Sequence, residues 1–204
     1  MEPDPRRQHE ERLPVVALVG SAGGLEAVLR IVAGLPEHLA AAVLVLLHQS
    51  PDHVSHLVSL LGRQSRLAVA EPRDGEPLPA GQITVVPPGT HLLVGPGRRA
   101  HVIESGAAPP SRPSADLLLA TLATALGDRA IAVVLSGGGH DGATGATAIH
   151  ACGGTVVASD EASSESFSMP LAAIERDNAV DHVVGVDEVS ALVARLVAAQ
   201  AQPG

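Results

Sequence analysis

The sequence predicts an α/β fold: a doubly wound, mostly parallel sheet with an antiparallel hairpin attached, in a single domain. Three observations carry this. The aliphatic runs Val15–Val19, Ala42–Leu46 and Ala130–Leu135 are continuous rather than alternating, the pattern of strands buried on both faces of a parallel sheet. Each run is followed by a turn segment and then by a stretch with helical patterning. The middle of the chain instead carries short strand-like pieces cut by Pro-Gly turns, which is hairpin patterning. A length of 204 residues suits one such domain with a sizeable core.

The elements follow in order. Residues 1–13 are polar and charged and read as a disordered tail, ahead of a domain over 14–199 and a short tail at 200–204. After the first strand, a helix is expected from Leu25 to Ala33, stopped by Gly34 with Pro36 beyond. After the second, Ser50-Pro51-Asp52 has the make-up of a helix start, with a cap, a first-turn proline and a first-turn acid. That helix is expected to end at Gly62. Ile83–Val86, His91–Val94 and Ala100–Ile103 then form the antiparallel portion, turned by Pro87-Pro88-Gly89 and Gly95-Pro96-Gly97. Ala107–Pro113 is a linker-like loop. Ser114 caps a helix over Ala115–Leu126. The strand Ala130–Leu135, a helix from Ala143 to His150, a strand Thr155–Ala158 and helices near Leu171–Arg176 and Val189–Ala199 complete the chain.

Composition narrows the function. Trp and Tyr are absent and Phe occurs once, so stacking on nucleobases is essentially unavailable. A formal charge of −9 also argues against a nucleic-acid partner. All basic residues are Arg, which removes a phosphate-loop lysine and Schiff-base chemistry. One cysteine, Cys152, forms no internal disulfide and reads as a small buried hydrophobe in a cytoplasmic protein. No apolar stretch reaches the roughly 20 residues of a membrane span, and no membrane insertion is expected.

The turn segments carry the chemistry. Gly20-Ser21-Ala22-Gly23-Gly24, Leu47-His48 and Ser136-Gly137-Gly138-Gly139-His140-Asp141-Gly142 each lie just past a buried strand. In open α/β sheets that edge is where ligands bind. A hydroxyl, an imidazole and a carboxylate meeting there are the parts of a Ser-His-Asp nucleophilic system. Ser21 has two further readings at this point: a plain helix cap, or a nucleotide-binding turn, although the glycine spacing is not G-x-G-x-x-G. Backbone N–H groups at Ala22, Gly23, Gly138 and Gly139 are oxyanion candidates. His53 and His56 share a helix face with His48 before them, yet no Cys or acid completes a metal set. No metal and no cofactor is implied.

Taken together the segments resemble the catalytic domain of the chemotaxis receptor methylesterases, the CheB family. Ser21-Ala22-Gly23-Gly24-Leu25-Glu26-Ala27 is similar to the family's nucleophile segment, and His48 with Pro51 to its Gln-His-x-Pro region. Glu71–Glu76, Gly81-Gln82-Ile83 and Pro87–His91 match its middle stretch. Arg112-Pro113-Ser114-Ala115-Asp116, Ser136–Gly145 and Met169-Pro170 with Ala173 match its later motifs. The resemblance runs collinearly from Pro14 to Val184. It implies Ser21 as nucleophile, His48 as base and Asp141 as the residue orienting it. It further implies hydrolysis of glutamate γ-methyl esters on bacterial chemoreceptors, with glutamine deamidation as a companion activity, and a methylated receptor as partner.

The sequence departs from the family pattern at Val19, Leu47 and Gly138, where Gly, Gln and Met are usual. Two other readings stay open here: a catalytically silent member of the same fold that binds a receptor or scaffolds, and a nucleotide-binding regulator. The segment before Val15 is too short for the receiver domain usual in the family, so the expectation is regulation by a partner or none.

Overall fold

The computed structural model describes residues 13–52, 54–106 and 111–200. Both expected tails, apart from Leu13 and Gln200, lie outside these residues, as do His53 and residues 107–110 of the expected loop.

A seven-stranded, wholly parallel sheet forms the centre, in the order β3-β4-β2-β1-β7-β8-β9. Its strands are β1 (Val15–Gly20), β2 (Ala42–Leu47), β3 (Ala68–Ala70), β4 (Gln82–Val85), β7 (Ala130–Val134), β8 (Thr155–Ser159) and β9 (His182–Val184). β1, β2 and β7 are buried along their whole length, as their continuous apolar character requires. Alternate residues of β1 feed opposite cores: Val16 and Leu18 one, Val15, Ala17 and Val19 the other.

Helices cover both faces. α1 (Gly24–Gly34), α2 (Leu57–Gln64) and α6 (Val186–Gln200) pack on one side, through Val28, Ile31, Leu61, Val189 and Val193. α3 (Ala115–Leu126), α4 (Ala143–Ala151) and α5 (Ser168–Ile174) pack on the other, through Leu118, Leu122, Ile149 and Met169. The hairpin β5 (Thr90–Gly95) and β6 (Arg99–Glu104) joins that second core through Leu92, Val94 and Ala100. Buried Arg98 ties the hairpin turn to the Leu78 carbonyl at 2.8 Å. The doubly wound fold and its hairpin are therefore as expected.

Three local expectations are corrected. The piece around Ile83 is no part of the hairpin. It forms β4 beside β2, because Ile83, Thr84 and Val85 are buried on both faces. The second helix starts at Leu57 rather than at Pro51. Leu57 and Leu61 are one turn apart and are the side chains this segment buries, whereas Pro51, Asp52 and Val54 are exposed, so helix there would have no core contact to stabilise it. Cys152 is exposed, not buried: it caps the outer end of α4, where Gly153 (φ 85°) turns the chain back. β3 and β9 were not anticipated; each is three residues long at a sheet edge.

Candidate active site

The three central strands deliver the three expected groups. β1 lies between β2 and β7; α1, which follows β1, packs on one face and α4, which follows β7, on the other, which makes this the switch point where α/β sheets form crevices. Backbone bonds stitch the strand ends together. The Ser21 amide donates to the Ser136 carbonyl at 2.9 Å, the His48 amide to the Gly20 carbonyl at 3.1 Å, and the Leu135 amide to the Val19 carbonyl at 2.8 Å. Ser21 is thus set by its neighbours on both strands before any side chain acts.

Ser21, His48 and Asp141 line one open cleft of about 610 Å³, with Gly138 and Gly139 on its lip. His48 Nε2 and Asp141 Oδ2 are 2.8 Å apart, with the His48 side chain 15% exposed and that of Asp141 8%. No direct hydrogen bond joins Ser21 and His48 in this structure. Catalytic hydrogen bonds of this kind commonly tighten only in the complex with substrate.

Asp141 is held from three sides. Its Oδ2 accepts the Ala115 amide at 2.6 Å, and its Oδ1 accepts the Asp116 amide at 3.0 Å and the Ser114 hydroxyl at 3.1 Å. These donors form the N-terminus of α3, where the helix dipole also favours a negative charge. Burial alone pushes the Asp141 carboxyl up. The hydrogen bonds from His48 and from the Asp116 and Ala115 amides outweigh it, so the carboxyl lies below its ordinary value. Asp141 is therefore an anion able to fix the His48 tautomer.

The oxyanion candidates divide. Gly138 and Gly139 border the cleft, and neither amide donates a hydrogen bond among the described residues. Gly23 opens instead onto a neighbouring groove of about 120 Å³ beside Glu165 and Ser163. Ala22 is exposed next to Ser21, and its carbonyl accepts the Ser136 hydroxyl at 2.7 Å.

Two supporting residues escaped the sequence reading. The Ser136 hydroxyl donates to Ala22 and accepts the Ser166 amide at 3.0 Å, linking the Ser21 turn to the 160–168 loop. His91 Nδ1 accepts the Ser114 amide at 3.0 Å. Ser136 stood inside a segment already singled out, but a hydroxyl gives no hint of its partners. His91 sits in an apolar strand, and the histidine itself was the available signal.

The departures at Val19 and Leu47 are accommodated by packing. Val19 is fully buried in regular strand, between Leu46 and Val134. Leu47 packs its Cδ2 against the Gly20–Gly24 turn. At Gly137 close approach demands glycine: a Cβ there would meet the Met169 side chain and come within 3.0 Å of Ser21 Cβ.

The family model described as CheB methylesterase matches residues 16–193. The chain belongs to the CheB methylesterase family. It is 39% identical, over 87% of its length, to the protein-glutamate methylesterase/protein-glutamine glutaminase 2 of Anaeromyxobacter dehalogenans (strain 2CP-C). It is 36% identical, over 89% of its length, to a Myxococcus xanthus (strain DK1622) protein named protein-glutamate methylesterase/protein-glutamine glutaminase 1. The chain spans about half the length of these curated relatives, 52% and 53%. The crystal structure of the Thermotoga maritima CheB methylesterase catalytic domain superposes with a TM-score of 0.83 at 28% identity, covering 90% of this chain and 98% of that one.

Among the described residues of this CheB-family chain, no group of three His, Cys, Asp or Glu side chains is placed to hold a metal ion. His53, half of the histidine pair weighed for zinc, lies outside them. No helix of the described residues is long and apolar enough to cross a membrane.

Proposed function

We propose that this chain is a serine hydrolase that demethylates protein glutamate γ-methyl esters on a bacterial chemoreceptor or a similar methylated protein in the cytoplasm. The observation that carries the reading is the 2.8 Å His48–Asp141 bond in the cleft that Ser21 lines. Membership of the CheB methylesterase family and the names of the relatives support the substrate class.

The roles follow from the geometry. With Nε2 on Asp141, Nδ1 is the His48 nitrogen left to accept the Ser21 proton. Ser21 Oγ attacks the ester carbonyl, and the Gly138 and Gly139 amides receive the developing oxyanion. The methoxide leaves with the proton from His48 as methanol, and the acyl group stays on Ser21. Water then attacks the acyl-enzyme, passing a proton to His48, which hands it to the departing Ser21 Oγ as the glutamate acid is released. Asp141 remains ionised throughout and stabilises the imidazolium. A glutamine amide takes the same route, with ammonia in place of methanol.

The test is methanol release from a methylated chemoreceptor fragment, alongside labelling by a fluorophosphonate probe. Release and labelling, both lost in Ser21→Ala, are expected. Release that persists in Ser21→Ala, or a wild-type chain that is neither labelled nor active, overturns the reading.

A further inference from the structure

Two carboxylates that line the cleft exchange helix caps. Asp141 precedes Gly142, the N-cap of α4, yet its carboxylate binds the Ala115 and Asp116 amides at the start of α3. Asp116 stands in the first turn of α3, yet its Oδ1 accepts the Gly142 and Gly145 amides at the start of α4, at 2.9 and 2.8 Å. A first-turn acid normally serves its own helix; this one serves the neighbour. Each carboxylate therefore fixes the backbone that carries the other.

The packing between the helices leaves little slack. A Cβ on Gly145 would lie 2.5 Å from Leu119 Cβ and 3.3 Å from Asp116 Cα. Helix α4 can therefore approach α3 closely enough for the Gly145 amide to reach Asp116. Backbone amides satisfy both oxygens of Asp141 and one oxygen of Asp116.

We propose that Asp116 is a positioning residue of the active site: by holding the Gly142 and Gly145 amides it sets where Asp141 stands, and through Asp141 the plane and tautomer of His48. This rests on the esterase reading for its kinetic consequence but not for its structural one. Asp116 lines the same cleft, but its hydrogen bonds run to Asp141, Gly142 and Gly145 and to neither Ser21 nor His48. What matters is where its acceptor oxygen lies, more than its charge.

Asp116→Asn and Asp116→Glu separate these terms. Asparagine keeps an oxygen at the Oδ1 position and removes the charge, while glutamate keeps the charge and moves the oxygens by one methylene. The readouts are kcat and KM for methyl-ester hydrolysis, and the low-field proton NMR resonance of the His48–Asp141 hydrogen bond in the substrate-free protein, assigned by its loss in His48→Gln. For Asp116→Glu, kcat is expected to fall at least about tenfold with KM within about twofold, since small displacements of catalytic groups cost rate steeply, and the resonance moves. Asp116→Asn keeps the resonance and most of kcat. An Asp116→Glu protein with parental kcat and an unmoved resonance overturns the proposal, as does an Asp116→Asn protein impaired as severely as Asp116→Glu. If the parent releases no methanol, the esterase reading fails on its own, and the resonance in the two variants still decides the role of Asp116.

Discussion

His91 Nδ1 accepts the Ser114 amide proton at 3.0 Å, and Ser114 in turn donates its hydroxyl to Asp141. The imidazole must be unprotonated at Nδ1 to do this. Burial pushes His91 below the ordinary histidine value; the Arg112 charge acts in the same direction, and the Asp141 charge and the Ser105 backbone act against it. The unfolded chain then binds more protons at this group below about pH 6.5, the ordinary histidine value, so stability falls as the pH drops from there toward the folded value. Asp141, with its carboxyl lowered, adds stability above the unfolded carboxylate range of about pH 4, which is lost as the pH falls through the folded value. Thermal unfolding followed against pH is expected to show two acid-side losses. His91→Gln should abolish the upper one alone, and an unchanged upper step in that variant would remove His91 from the account.

Replacing Ser21 by alanine is expected to abolish ester hydrolysis by several orders of magnitude while leaving the fold intact. Ser21 is half-buried at a turn, and it is its backbone amide, not its hydroxyl, that bonds to Ser136. His48→Ala should match that loss, and the double variant should lose little more, because the two groups act in one step. Additive losses measured by kcat/KM would contradict a shared mechanism.

Asp141 carries two duties, so its removal should be felt twice. Asp141→Ala strips the α3 N-terminus of acceptors for two amides and a hydroxyl, a loss of about 1–3 kcal/mol in unfolding free energy for buried donors left unpaired. Ser21→Ala has no such structural duty. Chemical denaturation is the discriminating measurement: Asp141→Ala destabilised well beyond Ser21→Ala fits the structure, and equal stabilities do not.

Gly138 needs no glycine backbone. Its φ is not in the left-handed region, and a Cβ placed on it meets nothing within 4 Å. Gly138→Met is therefore expected to fold with a melting temperature within a few degrees of the parent, in keeping with surface substitutions of about 0.5 kcal/mol or less. Its effect should fall on the cleft, as lower kcat/KM for esters of bulky alcohols than for the methyl ester. Equal losses for both would show that the new side chain points away from the reacting groups.

The sequence was most legible where burial dictates pattern. β1, β2 and β7 are buried on both faces, so their aliphatic runs stand out, and Ser21, His48 and Asp141 are candidates because each follows one. Ser114 was readable as a cap from its place before an apolar run, and its hydroxyl does accept the Leu117 amide at 3.3 Å. Local patterns fail where a partner comes from far along the chain. Asp116 looks like any first-turn acid, and its service to α4 depends on how two helices meet 26 and 29 residues apart. β4 reads as hairpin in the sequence because a four-residue strand carries no record of which neighbour it will join, and edge strands as short as β3 and β9 leave almost no periodicity to detect.

The interlocked caps have a consequence for how the molecule breathes. A helix end normally frays by itself, but here loosening α3 at Ala115 releases Asp141, and loosening α4 at Gly142 releases Asp116. The two ends should open together as one cooperative unit. In hydrogen exchange the amides of Ala115, Asp116, Gly142 and Gly145 would then share a single opening free energy. Asp141 then leaves His48 only when that whole unit opens, so fraying confined to either helix end keeps the His48–Asp141 pair in place.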